Sequence, residues 1–234
     1  ATARAILEAA AEGIVMVGRD GGIVLVNKKL EEMFGYRRDE LLGRTVETLL
    51  PEGLRHAHVS HRVGYFSRPR SRPMGRGLDL VGRRKDGTEF PIEVSLSFVE
   101  LENDVVGMAF VTDITERKRA ETRLRTEFAV TQIFAEAATL QDATPRLLQS
   151  ICEGVGWQLG ELWRADPHAN VMRLEGSWHA PSVEVEKFEA ASRGMTSPPG
   201  AGLIGNVWVS NQPAWIIDVA GDPVEGEEVQ AAHE

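Results

Sequence analysis

Cysteine is nearly absent from this sequence: Cys152 is the only one in 234 residues. A lone thiol cannot form an internal disulfide and fits a reducing compartment, so a cytoplasmic setting is expected. Long apolar runs are also missing. Stretches such as VVGMAFV fall far short of the ~20 residues needed to cross a bilayer, so no membrane partner is expected. An excess of basic charge is missing too, and a formal net charge of −9 argues against nucleic acid as a partner. The N-terminal ATARAILEAAAEG lacks the pattern of a secretory signal. Since its first residue is not methionine, the chain is expected to be a piece of a longer protein. Tryptophan is absent before Trp157, with all five at or beyond that position. Charge is uneven as well: residues 55–84 are strongly basic and the closing DPVEGEEVQAAHE is acidic. Two modules of different character are implied.

What is present reads in order. Residues 2–12 suggest a short amphipathic helix. GIVMVG and IVLVN, separated by RDGG, predict a hairpin. NKKLEEMFGY, RRDELLGR and TVETLL predict short helices, with Asp39 and Thr45 as N-caps and Gly35 and Gly43 as stops. Pro51 opens a further helix, and the prolines of SRPRSRPMG end it. LDLVGRR, FPIEVSLSFVEL and VVGMAFVTDIT predict three strands joined by KDGT and END. Residues 13–115 therefore predict an α+β module, a five-stranded antiparallel sheet with helices on one face.

TERKRAETRLRTEFAVTQIFAEAATL contains no glycine or proline and predicts one continuous helix over residues 116–139, ~36 Å long. Ala120, Leu124, Phe128, Thr131 and Ala135 recur at three- and four-residue steps. This makes Leu124 and Phe128 the expected seam of a homodimer. After a break at QDATP, the residues Leu147, Leu148, Ile151, Cys152 and Val155 predict an amphipathic helix. WQLGELWRAD and NVMRLEGSWH then predict a hairpin. SVEVEKFEAASRG predicts a helix closed by Gly194, GAGLIGNVWVSNQ a glycine turn and helix, and PAWIIDV a strand.

Three of the six histidines fall within PEGLRHAHVSHRVGYF, residues 51–66. On a helical wheel Leu54, His58, His61 and Tyr65 share one face, while His56 joins Val59, Val63 and Phe66 on another. A zinc site needs three or four ligands, and no cysteine or suitably spaced carboxylate accompanies this helix, so no metal is expected. GAGLIG, Gly200 to Gly205, matches the dinucleotide fingerprint by letter, and Asp218 follows an apolar run. RGMTSPP before it cannot be the buried parallel strand that motif requires, so its glycines are read as a tight turn with close backbone packing. Cys152, on an apolar helix face without a basic neighbour, is read as a small buried hydrophobe.

GIVMV…DGGIVLVNKKLEEMFGYRRDELLGRTVETLLPE, GRRKDGTEFPIEVSLS and VTDITERKRAE together resemble a PAS domain over residues 1–115. The resemblance implies that Asp113, Ile114 and Thr115 relay a signal from the sheet into the linker helix, residues 116–140. It also implies a pocket lined by Ile92, Val94, Leu96, Met108 and Phe110. Residues 141–234 are similar to a GAF domain lacking its last strands and helix, through LLQSICEGVGWQLGELWRAD, FEAASRGMT and PGAGLIGNVWVSNQPAWIIDV. PAS followed by GAF resembles the sensory half of bacterial histidine kinases, diguanylate cyclases and regulatory phosphatases. No kinase phosphoacceptor region, cyclase signature or phosphatase metal motif is present, so this stretch is not expected to be an enzyme. The output domain would lie elsewhere in the same polypeptide. A small-molecule ligand is compatible with this reading, and no tightly bound cofactor is expected. The alternative that the resemblance keeps open is a gas sensor with heme b held by His58, the position of the proximal histidine in heme-binding PAS sensors. Leu78 stands where those sensors carry a distal arginine. The remaining alternative is a dimerisation scaffold without ligand.

Overall fold

The computed structural model describes residues 2–74, 79–101 and 104–216. Leu78, Asp218 and most of the strand expected at PAWIIDV lie outside the described residues, and residues 213–216 form no strand. The chain divides into two compact units, Ala1–Ala120 and Glu121–Glu234.

The first unit opens with α1 (Thr2–Glu8), shorter than the helix expected to residue 12. The hairpin strands β1 (Gly13–Val17) and β2 (Ile23–Val26) follow. Gly21 in their turn has φ +91°, and a Cβ there would also strike the Arg62 guanidinium. Helix α2 (Lys28–Phe34) starts at Asn27, whose side chain accepts from Leu30 N–H, and stops at Gly35 in the left-handed conformation. Leu30, Met33 and Phe34, at i, i+3 and i+4, are its buried stripe. Helix α3 (Arg38–Leu41) is preceded by Arg37 rather than capped by Asp39. Glu40 reaches back to accept from Arg37 N–H at 2.9 Å, and Asp39 instead pairs with the Arg37 side chain. A 3-10 turn (Val46–Leu49) follows Thr45, whose hydroxyl makes no capping bond.

Helix α4 (Glu52–Ser67) carries the histidines. The sheet resumes with β3 (Arg72–Met74), β4 (Leu80–Arg83), β5 (Glu89–Leu101) and β6 (Asp104–Asp113). The order is β2-β1-β6-β5-β3, all antiparallel, and β4 also pairs with β5. Thus β3 and β4 are two pieces of one edge position, and the expected five strand positions hold. The sequence reading missed β3 because it contains Pro73, which only an edge strand tolerates. On the other edge, β2 is covered by the chain before the 3-10 turn, where Ile23 N–H donates to Arg44 C=O at 2.8 Å.

One sheet face forms the core. Val15, Val94 and Val111 pack there with Ile23, Leu30, Phe34, Leu41, Leu49 and Phe90. Phe34 and Phe90 meet edge to face at 5.1 Å.

Helix α5 (Thr115–Glu136) ends three residues before the expected residue 139. Helix α6 (Leu140–Val155) then begins at Thr139, which accepts from Asp142 N–H, and it runs through Pro145 instead of breaking there. Within the second unit Ile133 of α5 packs on Ala143 and Leu147 of α6. A three-stranded antiparallel sheet follows: β7 (Leu159–Asp166), β8 (Val171–His179) and β9 (Thr196–Ser197), in that order. Gly160 and Gly176 lie beneath α6. A Cβ at Gly160 would come within 2.5 Å of Cys152 Sγ, and one at Gly176 within 2.8 Å of Thr144 Cγ2, so both glycines let the helix sit close. Helix α7 (Glu186–Gly194) touches the sheet through Glu189, which accepts from Ser177 Oγ at 2.9 Å. Helix α8 (Gly202–Ser210) follows the glycine turn. A Cβ at Gly205 would strike Pro198 C=O, and the strand before the turn is the short antiparallel β9, so no dinucleotide-binding βαβ unit is formed.

Candidate functional site: a relay node and a histidine latch

The sheet delivers its last strand into α5 through Asp113. One carboxylate oxygen accepts from Thr115 N–H at 2.9 Å and from Thr115 Oγ1–H at 2.5 Å. The other accepts from Arg84 Nη2 at 2.8 Å. Burial pushes the Asp113 carboxyl up, but the bonds from Thr115 and Arg84 outweigh it and hold the group below the usual aspartate value. An ionised Asp113 thereby tethers the first turn of a helix, where negative charge is favourable. Ile114 is buried beside it, and its carbonyl accepts the first α5 bond from Lys118 N–H at 2.9 Å. Arg84 also donates from Nη1 to Met33 C=O and stacks over the Phe90 ring at 3.8 Å. The sequence reading named Asp113, Ile114 and Thr115; it missed Arg84, although GRRKDG places that side chain one strand away.

The expected pocket lining does not share one face. Ile92, Val94 and Leu96 face the core, whereas the register pairs Met108 with Met16 and Phe110 with Ile14, on the opposite side of the sheet. Successive strand residues alternate sides, so Met108 and Phe110 cannot line a cavity with the other three.

On α4 the ring of His58 meets Glu47, with Nδ1 2.9 Å from Glu47 Oε1. Arg62 Nε donates to the same oxygen at 3.0 Å, and Arg62 Nη1 donates to Arg19 C=O at 2.9 Å. Glu47 is 5 % exposed. Burial raises its carboxyl, but the bonds from His58 and Arg62 prevail and leave it lowered. An ionised carboxylate only accepts, so His58 Nδ1 carries the hydrogen and donates it. His56 and His61 are exposed. At its far end α4 is held by Phe66, packed on Gly107, and by Tyr65, whose hydroxyl donates to Ser97 C=O at 2.9 Å.

Heme can be tested against this geometry. The ring chemistry suits it, because a carboxylate on Nδ1 leaves Nε2 for a metal. The space does not. A cavity of about 480 Å³ is lined by Glu32, Met33, Phe34, Gly35, Arg84, Lys85 and Asp86. Another, of about 270 Å³, lies between α5 and α6. Neither touches His58, Ile92, Val94 or Leu96, and the core face of the sheet is filled by side chains of α2, α3 and the 3-10 turn. Among the described residues no group of three His, Cys, Asp or Glu side chains is gathered for a metal ion. No described helix is long and apolar enough to cross a membrane. Cys152 is 1 % exposed, and burial raises its thiol, in keeping with a packing role.

Leu124 and Phe128 on α5 are 66 % and 70 % exposed, and Phe134, about 120° around the helix from Phe128, is exposed as well.

Residues 11–116 match the family model described as PAS domain. The sensor protein FixL of Bradyrhizobium diazoefficiens is 30 % identical over 122 residues, covering 52 % of this chain and 24 % of that protein. The oxygen sensor protein DosP of Escherichia coli is 29 % identical over 101 residues, 43 % of this chain and 13 % of that one. Among solved structures, the PAS domain of an HTR-like protein from Haloarcula marismortui is 26 % identical with a TM-score of 0.42, covering 48 % of this chain and 89 % of that one. The chain therefore spans a quarter or less of the length of these two curated relatives. Residues 11–116 thus match the PAS domain model and have the PAS-like α+β fold described above.

Proposed function

We propose that this chain is the sensory and relay portion of a cytoplasmic bacterial signal-transduction protein. In this reading the PAS domain responds to a ligand or partner. Asp113, Ile114 and Thr115 pass the response to α5, and the second unit is an incomplete GAF domain. The output activity then belongs to another part of the same polypeptide, in the manner of a histidine kinase. The observation that carries the reading is the Asp113 node, where one carboxylate joins a central strand, the KDG turn through Arg84, and the first turn of α5. A helix whose start is fixed by a sheet side chain responds when that sheet shifts. Likeness to FixL, DosP and a cell-division control histidine kinase of Brucella ovis supports a sensory role. The exposed Leu124–Phe128 stripe suits pairing with a second copy.

Asp113→Ala in the intact parent protein tests this. Its output should become insensitive to the stimulus while the PAS domain stays folded. An unchanged stimulus response would refute the relay.

Heme-based gas sensing is a second reading, favoured by the Glu47-bound ring of His58 and by the likeness to an oxygen sensor. Hemin titrated into the protein should give no saturable Soret shift if the filled core decides. A one-to-one shift lost in His58→Ala but kept in His56→Ala would establish heme instead.

A further inference from the structure

The Asp113 node has a counterpart at the start of the domain. Glu8, at the end of α1, accepts from Lys28 N–H at 2.8 Å through Oε2 and from Arg38 Nη2 at 2.7 Å through Oε1. Arg38 also pairs with Glu31 at 3.0 Å, and its own N–H donates to Glu31 Oε1 at 2.7 Å. Asn27, 1 % exposed, donates to Leu7 C=O and Glu12 C=O while accepting from Ile14 and Leu30. The first turn of α2 is thus bonded to the end of α1, and Glu31 in its middle meets the same clasp.

The other end of α2 belongs to the relay. Met33 C=O accepts from Arg84, the residue that holds Asp113, and Phe34 C=O accepts from Lys85 N–H at 2.9 Å. Lys85 Nζ meanwhile reaches Glu40 of α3 at 2.6 Å. One seven-residue helix, roughly 10 Å long, therefore has an arginine node at each end. Its buried stripe of Leu30, Met33 and Phe34 prevents it from bending independently of the core.

We infer that α2 is a strut that couples α1 to the start of α5, so that displacement of the chain entering the PAS domain reaches Asp113 and Thr115 without a ligand in the core. Arg38 Nε is buried and has no hydrogen-bond partner among the described residues, so the closed arrangement leaves one donor unmet. Its use in signalling rests on the relay reading above; the mechanical coupling does not.

Amide hydrogen exchange tests the coupling in this chain. Glu8→Gln should keep the fold, because Glu8 is partly exposed and Asn27 remains, and should still raise exchange at Thr115 and Lys118 by roughly threefold or more. Arg4→Gln removes only an exposed 3.9 Å pair to Glu8 and should leave those two amides unchanged. Combined with Arg84→Gln, Glu8→Gln should add little, since Arg84 is the only route from α2 to Asp113 in this scheme. If Glu8→Gln loosens α1 alone, or if its effect multiplies fully with that of Arg84→Gln, the strut is disproved. If the coupling is found but Asp113→Ala leaves the parent's output responsive, the strut stands and the relay reading falls.

Discussion

In the first unit twelve buried residues form one cluster between a sheet and its own helices, with Phe34 against Phe90 at its centre. The buried cluster between α5 and α6 in the second unit holds three, Ile133, Ala143 and Leu147, while Leu124, Phe128, Phe134, Trp157 and Trp215 stay exposed. Buried apolar area drives folding and exposed apolar area drives association. The contrast therefore separates a unit with the larger buried cluster from one that exposes large aromatic side chains.

Phe34→Ala should break the comparison most severely. Removing a fully buried phenylalanine costs about 3–5 kcal/mol. Every tryptophan lies in the second unit, so fluorescence reports on that unit alone while far-UV circular dichroism reports on both. In urea the variant's dichroism transition should move to lower denaturant and the fluorescence transition should stay. A shift of both by the same amount would mean that the units unfold as one.

A double substitution, Leu124→Glu with Phe128→Glu, addresses the open face of α5. Burial of each side chain in a seam contributes about 1.5–3 kcal/mol, so loss of both should weaken self-association at least about a hundredfold. Sedimentation should show dimer becoming monomer with both urea transitions preserved. A wild-type chain that is monomeric at tens of micromolar would remove the seam from the picture.

Close packing in the second unit gives a smaller effect. Gly160→Ala forces a methyl onto Cys152 Sγ and should cost about 1–3 kcal/mol, read as an earlier fluorescence transition. Adding Cys152→Ala should restore part of the loss, because the obstructing sulfur is gone. Failure of that rescue would place the constraint in the backbone.

These contrasts were unevenly visible in the sequence. The hairpin turns, the α2 stop at Gly35 and the start of α5 follow from local chemistry, and all were legible. The sides of β6 were not. VVGMAFV is apolar at almost every position, so alternation cannot assign a face, and only the pairing with β1 and β5 puts Met108 and Phe110 opposite Val94. The end of α5 lacks glycine and proline, yet Thr139 with Asp142 three residues on is a start signal for α6 that was open to reading. Pro145 misled because its missing N–H is offset by the packing of Ala143, Leu147 and Leu148. Glu47 was invisible as a site residue. A buried carboxylate is recognised by its partners, and those sit 11 and 15 residues away on α4.

Acid should sharpen the comparison last and least. Glu47 titrates below its ordinary value of 4.5 because His58 and Arg62 together outweigh the rise due to burial. A carboxyl lowered by folding stabilises the fold fully above about pH 4.5, and that contribution fades as pH falls through the folded value. Asp113 acts in the same direction from its ordinary value of 3.8. The groups that face Glu47 are Arg62 and the His58 ring, both on α4. Protonation of Glu47 removes the charge that both share and leaves α4 held by the bonds of Arg62 to Arg19 C=O and Arg55 to Leu50 C=O and by Tyr65 and Phe66. The dichroism midpoint of the first unit should therefore drop more between about pH 5 and about pH 3 in wild type than in Glu47→Gln, which has no charge there to lose. The fluorescence midpoint should fall by the same amount in both proteins. Parallel dichroism curves for the two proteins would show that the Glu47 latch contributes nothing to the acid sensitivity of the PAS domain.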